Sequence, residues 1–310
     1  MSLLGDETNL LLDYKLVRLT DMTTKTIKKI IASQKVNMGG HIIDQPLPNR
    51  FMDQLDPFLL IHHARWRLQG DQRPLEAGIG AHPHRGFSPV SFIFKGDIRH
   101  QDSLGNDTVV KAGGTQWMHA GRGITHSERP SKELAMSGGL QEFIQFWVNT
   151  PAKYKMEAPY YLPLTEEATP YIEDNKYKIQ IVAGEYKGIK GPAKTFSPLL
   201  LMRGTIKSEG KLNIMIPADY NTLLYILEGE VVSDNQSAYN KSLIWYNTDG
   251  EQIQLTAKEE TTFILLSGEP IGEKVTSYGP FVMNNQTEIM QALRDAQIGK
   301  MGVLLSLIHI

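Results

Sequence analysis

Short runs of β-branched and aromatic residues, broken every few positions by glycine, proline or asparagine, dominate the chain. Val90-Ser-Phe-Ile-Phe94 meets the turn Lys95-Gly-Asp97, and Thr108-Val-Val-Lys111 leads to Gly113-Gly114. Phe143-Ile-Gln-Phe-Trp-Val148 stops at Asn149-Thr-Pro151. The texture repeats further on, in residues 176–182, 212–216, 223–227 and 262–266. Runs of this length and composition predict an all-β antiparallel sandwich or barrel. Phe92-Ile-Phe-Lys-Gly96 and Tyr225-Ile-Leu-Glu-Gly229 share one strand-and-turn pattern, which points to a duplicated domain. One late stretch has a helical period. Asn285-Gln-Thr-Glu-Ile-Met-Gln-Ala-Leu-Arg-Asp-Ala-Gln297 places Ile289, Met290 and Leu293 on one apolar face behind an Asn or Thr cap. That predicts a helix over about 286–297, read as a clasp between two domains. The domain boundary is expected in the stretch 151–163, which holds three prolines.

Composition narrows the function classes. The 310 residues are about twice a usual domain length, enough for two medium domains. With 41% apolar residues the chain can bury a core, which excludes disorder. Thirty-two Lys and Arg against 34 Asp and Glu give a net charge of −2, so neither direct nucleic-acid binding nor an anionic membrane is expected. The sequence has no cysteine, which removes disulfides, thiolate catalysis and thiolate metal sites together. A reducing compartment, the cytoplasm, fits that composition. No run of about 20 apolar residues occurs and no signal-peptide pattern opens the chain, so no membrane association is expected. Met22 begins a more ordinary-looking start, and residues 1–21 and 303–310 are left out of the functional reading.

Histidine placement carries the chemistry. Of nine histidines, eight fall between His41 and His126, and only His309 follows. Two segments concentrate them: His82-Pro-His84-Arg-Gly-Phe87 and Gly121-Arg-Gly-Ile-Thr-His126-Ser-Glu128. In extended chain, residues two apart share a face, so His82 projects with His84 and His126 with Glu128. Both pairs are separated by the same offset of 44, which predicts two strands aiming two ligands each at one point. Three imidazoles and one carboxylate with exchangeable positions left over suit Fe(II), Mn, Co or Ni, whereas a closed structural zinc site normally uses thiolates. Two hydrolase readings fail. A metallo-β-lactamase-type site would continue with an Asp-His pair where Arg85-Gly86 stands, and an amidohydrolase needs later histidines that the chain lacks.

The segments His82-Pro-His-Arg-Gly-Phe87, Gln116-Trp-Met-His-Ala-Gly-Arg-Gly-Ile-Thr-His-Ser-Glu128, Gln145-Phe-Trp-Val-Asn149 and Tyr278-Gly-Pro-Phe-Val-Met-Asn284 resemble the signature segments of the pirin family, within the cupin superfamily. The resemblance runs from about Leu55 to about Lys300. It implies two cupin β-barrels packed together with a C-terminal helix. The implied division is 1–40 as an N-terminal extension with the first strands, 41–155 as a metal-binding cupin domain, 156–300 as a metal-free cupin domain ending in a helix, and 301–310 as a tail. It also implies one divalent transition metal, usually iron, held by His82, His84, His126 and Glu128, with Zn, Mn, Co or Ni as alternatives. Family members are quercetinase-type dioxygenases and, in eukaryotes, nuclear transcriptional cofactors.

The expected activity is therefore a metal-dependent dioxygenase acting on a flavonol-like aromatic with O2, with Glu128 as catalytic proton acceptor. The alternative is a metal-dependent redox-sensing protein that regulates a protein partner, since both readings need the same ligands. Several residues depart from the family pattern. Ser88 stands where the general cupin motif has a glutamate, His119 replaces a small hydroxyl residue, and His62-His63 replace an acidic pair. His119 reads as a loop residue outside the ligand set, and His62 and His63 as structural. Phe87, Trp117 and Trp147 read as core that could also wall an aromatic pocket, Arg122 as a solvated loop residue, and His100 with Asp102 as support for the fold.

Overall fold

A computed structural model describes residues 22–73 and 76–304. The predicted strands form within a residue or two of their expected centres, and each half of the chain builds one seven-stranded and one four-stranded sheet. In the first half the large sheet runs in the order Tyr160–Leu164, Thr115–His119, Phe87–Lys95, Gly139–Asn149, Phe58–Leu68, His41–Leu47, Gln34–Met38. The small sheet is Ile79–His84, Ile124–Arg129, Asp97–Asp102, Asp107–Lys111. The second half repeats the plan, its large sheet centred on Asn221–Glu228, Thr261–Gly268 and Leu199–Ile206. The duplicated strand-and-turn pattern sits at matching places, with Gly96 and Gly229 both turning a large-sheet strand into a small-sheet one. All the pairings are antiparallel within these sheets.

Alternation along the central strands decides what faces what. On Phe87–Lys95, Val90 and Phe92 point out of the first barrel, while Phe87, Ser91 and Ile93 point into it. On Gly139–Asn149, Ile144, Phe146 and Val148 point out, while Phe143, Gln145 and Trp147 point in. The outward set meets Leu199, Leu201, Leu223, Tyr225, Leu243 and Ile264 of the second large sheet in one buried cluster. The barrels are thus glued sheet to sheet, each fully buried Leu or Phe there contributing about 1.5–3 kcal/mol. Their interiors differ. The second barrel is filled with aliphatic side chains such as Ile181, Met202, Ile214, Leu224 and Ile253. In the first, apolar clusters around Ile43, Ala64, Ile93 and Phe143 and around Phe87 and Trp147 sit beside buried polar groups, among them His84, His126 and Glu128.

The chain ends exchange places. Ile27–Ala32 pairs antiparallel with Ser242–Tyr246, so this early strand completes the second barrel's large sheet. At the other end, the hairpin Thr276–Tyr278 and Phe281–Met283 and the helix Gln286–Gln297 return to the first barrel. Val282 N–H donates to Arg85 O at 3.1 Å, and Arg85 Nη2 meets Asp295 Oδ2 at 3.0 Å. Ser103 and Thr125 hydroxyls donate to the carbonyls of Met301 and Gly302, both at 2.9 Å. The helix has the expected boundaries and is capped by Asn285, whose Oδ1 accepts from Glu288 N–H at 3.0 Å. Its buried face is Ile289 and Ala292 with Leu293 and Ala296 packed beside them; Met290, expected on that face, is exposed. A second helix, Lys132–Ser137, escapes the sequence reading because its single turn and a half has no apolar period, only a Ser131 cap accepting from Leu134 N–H. No helix among the described residues is long and apolar enough to cross a membrane.

Ile289 is fully buried where the helix meets the hairpin. Ile289→Ala is expected to destabilise the protein by about 2–4 kcal/mol, read as a lowered chemical-denaturation midpoint. Met290→Ala, on the exposed side, is expected to shift it by less than about 0.5 kcal/mol.

Candidate metal centre

Local pairing assembles the histidines. His126 lies directly opposite His82 across the antiparallel pair Ile124–Arg129 and Ile79–His84, and His84 lies opposite Ile124. In antiparallel pairing it is the sum of residue numbers that stays constant, so the equal 44-residue offset has no structural meaning here. His84 and Glu128 instead flank the His82–His126 pair from opposite ends. A register shift between His126 and Glu128 adds a kink on the Glu128 side.

The three imidazoles offer nitrogens that all lie within 4.8 Å of one another, and no second group of three ligating side chains occurs among the described residues. Their hydrogen bonds fix which nitrogens hold protons. His82 Nδ1 lies 2.8 Å from Gly80 O, and His84 Nδ1 lies 3.2 Å from Pro280 O. A carbonyl only accepts, so each Nδ1 carries a proton, and in the neutral ring Nε2 keeps its lone pair. For His126 the same result comes through a relay. Asp102 Oδ2 accepts from His100 Nε2 at 2.9 Å, which leaves His100 Nδ1 as an acceptor 3.4 Å from His126 Nδ1. His126 Nε2 then faces His82 Nε2 at 3.0 Å, lone pair to lone pair. That contact is repulsive unless a cation or proton lies between them.

Protonation is the weaker remedy. Burial pushes His84 and His126 far below the usual imidazole range, and the neighbouring imidazoles push the same way. A cation fits: two ligands about 2.1 Å from a metal at adjacent octahedral positions sit about 3 Å apart. Three imidazoles, each with its other nitrogen oriented by an acceptor, match the second-sphere pattern of protein metal sites. Burial alone would push Asp102 up, yet hydrogen bonds from His100 and Asn106 hold it below the usual carboxylate range, keeping it the anionic end of the relay.

Glu128 is buried beside this cluster, its carboxylate outside the group of nitrogens that lie within 4.8 Å of one another. Gln145 Nε2 donates to both carboxylate oxygens, at 3.0 and 2.9 Å, and Ser91 Oγ lies 3.5 Å from one of them. Gln145 Oε1 accepts in turn from Trp147 Nε1 at 3.3 Å. Glu128, His82 and His84 line a cavity of about 470 Å³, closed by Leu60, His62, Trp147 and Pro280. Of the three aromatics considered as pocket walls, Trp147 lines the cavity, Phe87 packs behind it at 4.3 Å between ring centres, and Trp117 is buried in the core between the barrels.

The remaining polar residues sort clearly. His119 ends a buried strand, not a loop; its Nδ1 meets Ser88 Oγ at 3.1 Å and its ring lies against Tyr160 and Phe196. His63 bridges the barrels through Tyr225 Oη at 3.0 Å and Glu142 Oε1 at 3.1 Å, a structural role as expected. His62, one residue away and on the opposite face, lines the cavity. Arg122 is exposed. Sequence reasoning missed Gln145, Pro280 and the function of His100 and Asp102. Gln145 could have been found from its alternation with Trp147 on one strand, but nothing in the sequence places Pro280 near His84. At the turn after His84, a Cβ on Gly86 would lie 2.0 Å from Val282 O, so glycine is required for the C-terminal hairpin to reach the site.

Two stacked barrels, one with converging imidazoles and the other filled with aliphatic side chains, define a bicupin with a candidate metal centre in its first barrel. Residues 40–148 match the Pirin family model and residues 201–302 the Pirin C-terminal cupin domain. The chain belongs to the pirin family. It is 34% identical over 287 residues to Pirin-like protein 2 of Arabidopsis thaliana, covering 89% of this chain and 85% of the relative. A crystal structure of quercetin 2,3-dioxygenase from Acinetobacter baumannii superposes with a TM-score of 0.86 at 34% identity, covering 91% of this chain and 100% of that one. The Escherichia coli pirin YhhW, solved in complex with nickel(II), shares the fold at 19% identity with a TM-score of 0.63, covering 78% of this chain and 100% of its own.

Replacing His82 and His84 together with Ala is expected to abolish transition-metal binding in a folded protein, measured by elemental analysis after desalting. His100→Ala keeps all the ligands but breaks the relay, and is expected to weaken metal affinity about 10–100-fold in a chelator competition.

Proposed function

We propose that this protein is a metal-dependent dioxygenase of pirin type, using Fe(II) held by His82, His84, His126 and Glu128 to oxidise a flavonol-like aromatic. The observation that carries the reading is the convergence of three imidazoles beside a cavity of about 470 Å³, which His82, His84 and Glu128 line together with Leu60 and Trp147. Such a volume accommodates a three-ring aromatic, and an aromatic wall favours a planar ligand. The likeness to a quercetin 2,3-dioxygenase over nine-tenths of the chain supports the same substrate class. The absence of cysteine fits work in a reducing cytoplasm.

When bound, the metal supplies Lewis-acid polarisation of substrate oxygens and a redox partner for O2. The chain's own residues do the rest. Trp147 and Leu60 on the cavity wall orient the aromatic and exclude water. Glu128 accepts the proton of the substrate hydroxyl, and Gln145 Nε2, donating between both of its oxygens, holds its carboxylate toward the cavity. Hydrogen bonds at Gly80 O, Pro280 O and His100 keep the three imidazoles from turning as charge redistributes.

Anaerobically iron-loaded protein mixed with quercetin and O2 is expected to consume oxygen, with a ring-cleaved product by mass spectrometry and loss of activity on chelation. Glu128→Gln is expected to retain most of its metal and lose about 10²–10⁴-fold in turnover. Oxygen uptake absent from the loaded wild type, or unchanged in the Glu128→Gln variant, would overturn the assignment.

A further inference from the structure

On the cavity wall, one half-buried histidine is fixed by the fold so that a ring nitrogen is left over. Gln45 Nε2 donates to Pro48 O at 3.0 Å, and since a carbonyl only accepts, the Gln45 amide has one orientation. Its Oε1 therefore faces His62 Nε2, 3.0 Å away, and an amide oxygen also only accepts. His62 Nε2 must carry the proton. His62 Nδ1 is left as a bare lone pair, with no partner among the described residues, on a half-buried side chain that lines the cavity. The strand's alternation turns His62 inward with Leu60, while His63 turns out toward the second barrel.

We infer that His62 is a specificity-determining residue, whose Nδ1 accepts a hydrogen bond from a ring hydroxyl of the aromatic ligand. This rests on the proposal that the cavity takes a flavonol-like molecule, and it adds which part of that molecule is read. A neutral acceptor favours a ligand that brings its own donor. It gains nothing from an ether or methoxy oxygen and repels a carboxylate. Burial holds the His62 imidazole down to about 4, so the ring stays neutral and keeps this acceptor near neutral pH. The hydroxyl in question is distinct from the one beside the ring carbonyl, which Glu128 deprotonates.

Two ligands separate these roles: quercetin, and 3-hydroxyflavone, which keeps the adjacent hydroxyl and carbonyl and lacks every other hydroxyl. Dissociation constants are measured anaerobically on metal-loaded protein, by calorimetry and by quenching of tryptophan emission. Wild type is expected to bind quercetin about 3–10-fold more tightly than 3-hydroxyflavone, the effect of one neutral hydrogen bond. In His62→Phe the ratio of the two dissociation constants should fall to about one while metal content holds. In His62→Asn, whose amide oxygen can replace Nδ1, part of the preference should return. Equal affinities in wild type, or a preference unchanged in both variants, would overturn the role of His62 and leave the dioxygenase proposal standing. Failure of the wild type to bind either ligand would sink both.

Discussion

The site depends on one constraint: three imidazoles present lone pairs to a common point because their other nitrogens are all tied outward. Gly80 O and Pro280 O fix two of them, and the Asp102–His100 relay fixes the third. Without those ties each ring could turn its N–H inward, and the close approach of His82 Nε2 to His126 Nε2 would relax. The cost of holding two lone pairs 3.0 Å apart in a buried place is what a cation there offsets. Affinity is thus written as much in the acceptors behind the histidines as in the histidines.

The architecture supplies those acceptors from far along the chain. Pro280 belongs to the second half of the sequence, yet it reaches His84 because the C-terminal hairpin and helix dock on the first barrel through Arg85, Asp295 and Gly86. The N-terminal strand makes the reciprocal move and completes the second barrel. The second barrel is therefore more than a passive neighbour. Its interior is closed by apolar packing, and the segment that follows it orients a histidine of the first.

Much of this was legible in the sequence. Short β-branched runs gave the all-β class, and the two His-containing motifs located the centre, because residue types and period-two alternation are local properties. The parts that were not legible depend on pairing. The equal spacing of the two motifs suggests matched pairs, whereas the antiparallel register sets His84 and Glu128 at opposite ends of the His82–His126 pair. Met290 looked like core from its helical spacing, yet the helix rolls onto Ile289, Ala292 and Ala296. His119 looked like a loop residue, although its strand continues to that position and buries it. Neighbouring His62 and His63 carry one residue type into two unrelated environments, which only the sheet's two faces distinguish.

The central claim is that one transition metal sits among the imidazoles of the first barrel. Crystals of iron-loaded protein, measured at the iron absorption edge, test it most directly. One anomalous peak per chain is predicted, roughly 2.0–2.3 Å from Nε2 of His82, His84 and His126, with Glu128 on the same side. A peak away from these three nitrogens, or a second one inside the second barrel, would contradict it.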